Sequence, residues 1–181
     1  MITVLDQLNK LPSEDAQAEF LKCCGSKSWA RAMTKARPFE NADHLLHEAD
    51  RVWWSLDPAD WLEAFRAHPK IGEKKAATTQ PEEAQAWSEQ EQSGTQNAPA
   101  GTMVLLAEGN REYEQRFGFI FIVCATGKSS EEMLTLLNER LQNDRETELR
   151  VAAGEQRKIT HLRLDKLIGS SECRPVSTGS K

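Results

Sequence analysis

One stretch of this sequence has the character of a β-strand, and it has nothing to pair with. Residues 117–125, FGFIFIVCA, are rich in aromatic and β-branched side chains and apolar on both faces. A strand satisfies its backbone only against a neighbour. Elsewhere the apolar residues recur at spacings of three and four, the mark of helices packed on a core. The chain is therefore expected to be all-α. On this view 117–125 is a buried helical segment, broken near Gly118, within a long stretch covering about residues 99–126.

Start and stop signals divide the rest into helices. SEDAQAEFLKCCG has Ser13 as its cap and stops at Gly25, and SKSWARAMTKARP runs from Ser26 to a stop at Pro38. NADHLLHEADRVWWSL has Asn41 as its cap and Leu45, Ala49, Val52, Trp53 and Leu56 at helical spacing. DPADWLEAFRAH pairs the cap Asp57 with Pro58 at the first helical position. TQPEEAQAWSEQEQSG offers Thr79 and Glu82 as a capping box and ends at Gly94. Two closing helices cover 129–143 and 145–168. The sum is one helical bundle of about eight helices over residues 1–168. From Gly169 the polar GSSECRPVSTGSK reads as a disordered tail.

A chain of 181 residues is long enough for one real core. Its net charge of −5 speaks against nucleic acid or an anionic membrane as the main partner. No apolar run reaches membrane-spanning length, and the N-terminus lacks a basic-then-apolar signal pattern. Cys23, Cys24, Cys124 and Cys173 form no CxxC pair, so they read as idle thiols of a reducing cytoplasm, with no metal framework among them.

Three places could carry chemistry. In AHPKIG, His68 precedes Pro69, which pushes its backbone out of α geometry and ends the helix at the histidine. His68 also follows Trp61 and Phe65 at helical spacing; capping its helix's last carbonyls is the plainer role. In SEQEQ, Ser88 and Glu91 share a helix face with Ala84 and Trp87, with Gln92 beside them; a solvated face beside one half-exposed Trp is the plainer reading of this segment alone. Arg163 stands on an apolar stripe between Ile159 and Leu167, where it must snorkel, pair with a carboxylate or bind an anion. Two motifs are decoys. VCATGKS needs a glycine where Ile122 stands to be a phosphate loop. HLLHE offers His44 and His47 but neither a third ligand nor the HExxH order of a zinc site.

Taken together and in order, HPKIG at 68–72, Ser88-x-x-Glu91-Gln92, and FGFIFIVCATGKS at 117–129 resemble the OHCU decarboxylase family. OHCU is 2-oxo-4-hydroxy-4-carboxy-5-ureidoimidazoline, an intermediate of urate breakdown. The resemblance spans about residues 5–168. It implies an all-α homodimer that converts OHCU to (S)-allantoin and CO₂ without a cofactor or metal. By the family's motifs, His68 is the catalytic histidine and Pro69 lines the substrate pocket. Ser88, Glu91 and Gln92 match its SxxEQ motif. Its substrate-binding backbone falls on Phe121, Ile122, Val123, Cys124 and Ala125, and its C-terminal arginine on Arg163. The chain departs at Thr126, where an Arg or Lys often precedes the glycine, and at Lys70-Ile71.

The substrate's chemistry suits that list. The carboxylate sits beside a ring C=N that can accept its electron pair, so the electron sink lies within the substrate. His68 is expected to move a proton. Glu91 would orient it or bind ureido N–H groups, Gln92 would meet the ring edge, and Ser88 a ureido or carboxylate oxygen. Arg163 would neutralise the substrate carboxylate, and backbone N–H groups of 122–124 would hold ring carbonyls. Two other readings stay open: a non-catalytic binding module with a groove of Trp53, Trp54 and Trp61, and a metal hydrolase built on His44 and His47.

Overall fold

The computed structural model describes residues 2–71 and 81–169. Among these are nine α-helices: α1 Val4–Lys10, α2 Ser13–Cys23, α3 Lys27–Ala36, α4 Ala42–Ser55, α5 Pro58–Arg66, α6 Glu82–Glu91, α7 Ala100–Phe117, α8 Ser130–Arg140 and α9 Arg145–Leu167. A short 3₁₀ turn, Ser93–Thr95, follows α6. The helix beyond the expected eight is α1. Its signal was present: Thr3 and Asp6 form a reciprocal capping box. Ser26, Asn41 and Asp144 each accept a backbone N–H as side-chain caps of α3, α4 and α9. The expected cap at Thr79 lies outside the described residues, and Pro81 takes the N-cap position of α6; likewise Pro12, not the expected Ser13, takes that of α2, and Ser13 is its first helical residue.

The expected helix over 117–125 is not formed. Gly118, at φ +79°, caps α7 in the left-handed conformation, its N–H bonded to Glu114 O. From there to Ser129 the chain is neither helix nor strand. Side chains replace the missing neighbour strand. Arg140 Nη1 donates to Ile122 O at 2.7 Å, Cys124 N–H donates to Glu155 Oε2 at 2.8 Å, and Lys128 Nζ donates to Cys124 O at 2.7 Å. The run's aromatic residues pack inward: Phe119 against Phe65 at 5.6 Å and Phe121 against Tyr113 at 5.3 Å.

At the centre lies α9, 23 residues long, in contact with α2, α4, α5 and α7. Its buried stripe mixes Leu149, Ala152, Ala153, Ile159 and Leu164 with the polar Glu148, Gln156, Thr160 and Arg163. Each polar member has a partner, as burial requires. Glu148 accepts from Tyr113 Oη, from Arg140 Nε at 2.7 Å and from Asn143 Nδ2 at 2.8 Å. Close approach needs a glycine at Gly25, where a Cβ would lie 2.3 Å from that of Ala67. The α2–α3 connection can therefore press against the end of α5, next to His68. Two of the three tryptophans of the imagined groove are core: Trp53 Nε1 bonds to Ala153 O and Trp61 Nε1 to Trp53 O.

Candidate active site

The end of α5 delivers His68. Its backbone N–H still reaches Phe65 O at 3.1 Å, and Pro69 then turns the chain away. The ring does not cap its own helix. Its Nε2 lies 2.7 Å from Gln156 Oε1 on α9. Burial pushes the imidazole down to about 3, the Arg163 cation adds to this, and the bond to Gln156 opposes it. His68 is thus a neutral ring across the physiological range.

The last turns of α6 bring Ser88 and Glu91 to the same place. Arg163 reaches across from α9 and grips Glu91 with Nε to Oε1 and Nη2 to Oε2, both at 2.9 Å. Its Nη2 also donates to Ser88 Oγ at 2.8 Å, and its Nη1 to Lys22 O at 3.2 Å. Of the three fates open to this arginine, pairing with a carboxylate is the one realised; it is 1% exposed. Ser88 also donates to Ala84 O at 3.0 Å.

His68, Ser88 and Glu91 border one pocket. His68, Pro69 and Ile71 form one side, Ser88, Glu91 and Gln92 another. Phe121, Ile122, Val123, Ala125 and Thr126 form a third, with Ile159 also lining it. Three segments far apart in sequence thus converge. Two expected members stand outside the lining. Arg163 is spent on Glu91 and Ser88 behind the wall, so it offers no free cation for a substrate carboxylate. The Cys124 side chain is buried away from the pocket, and its N–H is taken by Glu155. The hydrogen bond of the His68 ring goes to Gln156, while the Glu91 carboxylate is held by Arg163. Among the described residues the N–H groups of Ile122, Val123 and Ala125 make no hydrogen bond, unlike that of Cys124.

Gln156, Thr160, Glu155 and Arg140 were not singled out from the sequence, yet all hold the site. Gln156 lies seven residues before Arg163, on the same helical face. The spacing that drew attention to the arginine would have found it. Among the described residues no three His, Cys, Asp or Glu side chains group as a metal site. His44 Nδ1 accepts from Glu40 N–H at 3.2 Å, and His47 faces solvent beside Glu48. Cys23, Cys24 and Cys124 are unbridged and buried, and burial raises all three thiols. Cys173 lies outside the described residues. No described helix is long and apolar enough to cross a membrane.

Comparison with known proteins gives consistent matches. Residues 9–165 match the family model described as OHCU decarboxylase. The chain is 36% identical over 175 residues to the uric acid degradation bifunctional protein TTL of Arabidopsis thaliana. That match takes in 91% of this chain and 54% of the relative, so the chain spans about half of that protein's length. It is 34% identical over 142 residues to the 2-oxo-4-hydroxy-4-carboxy-5-ureidoimidazoline decarboxylase of Amia calva, covering 77% of this chain and 79% of that one. A crystal structure of OHCU decarboxylase in the presence of (S)-allantoin superposes with a TM-score of 0.72 at 37% identity, covering 84% of this chain and 98% of the other.

Proposed function

The chain belongs to the OHCU decarboxylase family, and from that premise we propose that it converts OHCU to (S)-allantoin and CO₂, with His68 moving the proton. One observation carries the reading. His68, the Ser88–Gln92 face and the 121–126 backbone, three remote segments, line a single pocket.

The reaction asks little covalent chemistry of the protein. As CO₂ leaves, the C–C bonding pair forms a double bond to the ureido-bearing carbon and displaces the imine pair onto ring nitrogen. The hydroxyl then loses its proton and becomes the ring carbonyl. Ring nitrogen and the ureido-bearing carbon each gain a proton, so one more is drawn from solvent. A neutral imidazole is suited to take the hydroxyl proton, and His68 is kept neutral by its surroundings. The wall N–H groups of Ile122, Val123 and Ala125 are suited to the charge that grows on ring oxygen.

Arg163 acts by holding Glu91 and Ser88 in place. A free arginine gripping the substrate carboxylate would stabilise the ground state and slow CO₂ loss. Addition to one face only gives the (S) product. Homodimer assembly and a cytoplasmic location complete the proposal; light scattering on the purified chain tests the first and fractionation of cells the second.

The test uses OHCU generated in situ from urate, with circular dichroism following the product. Rapid growth of the (S)-allantoin signal, lost in His68→Ala, is expected. Racemic product at the spontaneous rate would overturn the reading.

A further inference from the structure

We infer that Gln156 is a positioning residue: with Thr160, it fixes His68 as the Nε2–H tautomer and so makes Nδ1 the ring's proton-accepting atom. The hydroxyl of Thr160 has one proton, donated to the Gln156 carbonyl at 3.0 Å. Toward the Gln156 side chain, 3.2 Å away, it can therefore only accept, so the group facing it is the amide NH₂. The amide oxygen must then face His68, as the 2.7 Å contact has it. An oxygen with no proton cannot donate, so Nε2 carries the hydrogen. A neutral imidazole has only one, and Nδ1 is left bare.

The residue type matters as much as its place. Gln156 is fully buried and cannot touch a ligand in the pocket. A carboxylate there would draw a second proton onto the ring, whereas an amide accepts without adding charge. Among the described residues, the charged groups about the ring are Arg163 and Glu91, already paired with each other; Lys70, next but one in the chain, is bonded to Glu114 at 2.7 Å. Gln156 thus supplies orientation while leaving the base neutral.

The tautomer is read by long-range ¹⁵N–¹H NMR on the histidine-labelled full chain at pH 7. The wild type is expected to show His68 protonated at Nε2 and bare at Nδ1. Gln156→Leu should lose that preference and, resting here on the decarboxylase reading, lose at least about tenfold in kcat with little change in KM. Gln156→Glu should restore the tautomer while moving the acid limb of the pH profile upward. An Nδ1–H ring in the wild type, or a Gln156→Leu chain with unchanged tautomer and kcat, overturns the inference. If the leucine variant does not fold, the wild-type spectrum alone decides. An Nε2–H ring in a chain that leaves OHCU untouched supports the tautomer assignment and overturns the functional reading instead.

Discussion

Arg163 and Glu91, 72 residues apart, meet through two parallel N–H···O bonds of 2.9 Å, and both side chains are buried. Removing one partner strands the other's charge. Arg163→Ala and Glu91→Ala should each lose about 3–5 kcal/mol of unfolding free energy. The double variant should lose clearly less than the sum. Urea denaturation of the three chains checks this; simple additivity would mean the pair is not coupled.

His68 should be separable from the fold. Among the described residues its ring makes one side-chain bond, to Gln156, at the pocket's edge. His68→Ala is expected to keep the far-ultraviolet dichroism of the wild type and lose at least about a hundredfold in turnover of OHCU. Substituting His44 or His47, on the remote α4, should change the rate by less than about twofold.

The same histidine gives stability a pH dependence. Its ordinary value is 6.5, and burial lowers it to about 3 in the folded chain. Between these limits the unfolded chain holds the extra proton, so unfolding free energy rises with pH there. The contribution is complete above about pH 6.5 and fades as pH falls toward 3. In His68→Asn the stability slope between pH 6.5 and 4 should be visibly flatter. An equal slope in both chains would show that the ring charges normally when folded.

Loss of the Tyr113 hydroxyl takes a donor from the fully buried Glu148 carboxylate. Tyr113→Phe should cost about 1–3 kcal/mol in denaturant unfolding. Arg140→Ala should be worse, because Arg140 also holds the Ile122 carbonyl. Its distinguishing effect should be a fall in kcat at temperatures where the variant is still folded, since the pocket wall shifts.

Gly154 sits in the middle of α9, and a Cβ there meets nothing within 4 Å. Gly154→Ala should therefore stabilise the chain by about 0.5–1 kcal/mol. Calorimetry should find a higher Tm with unchanged decarboxylation. Destabilisation would mean that the glycine serves something besides the helix.

How legible the molecule was in its sequence depends on the kind of signal. Periodicity and stop signals located α2 to α6, α8 and α9, because those signals are local; a side-chain cap bond starts α3, α4, α8 and α9, whereas α2 and α6 begin behind prolines and Asp57 makes no cap bond to α5. The Ser88–Gln92 face and His68 were likewise visible, as polar groups out of place. The segment 117–125 misled for a physical reason. Its residues prefer an extended backbone, and the choice of helix rested on the lack of a partner strand. The partners are the side chains of Arg140, Glu155 and Lys128, from α8, α9 and the loop, and no local pattern announces them. Arg163 was noticed, with a carboxylate among its expected partners, but that the partner is Glu91 could not be read, since spacing tells which face a residue occupies and not what lies opposite.

The buried stripe of α9 has one more consequence. Glu148, Gln156 and Arg163 stand eight and seven residues apart, about 12 and 10 Å along the axis, and each docks a different wall of the pocket. The helix works as a gauge rod on which three stations are cut. Adding or deleting one residue between stations would turn those beyond it by about 100°, aiming at least one polar group into hydrocarbon. Beside the stripe, Glu155 holds the Cys124 N–H and Arg157 and His161 hold Asp50, so those positions of α9 are constrained by their partners as well. The interval from 148 to 163 forbids insertion.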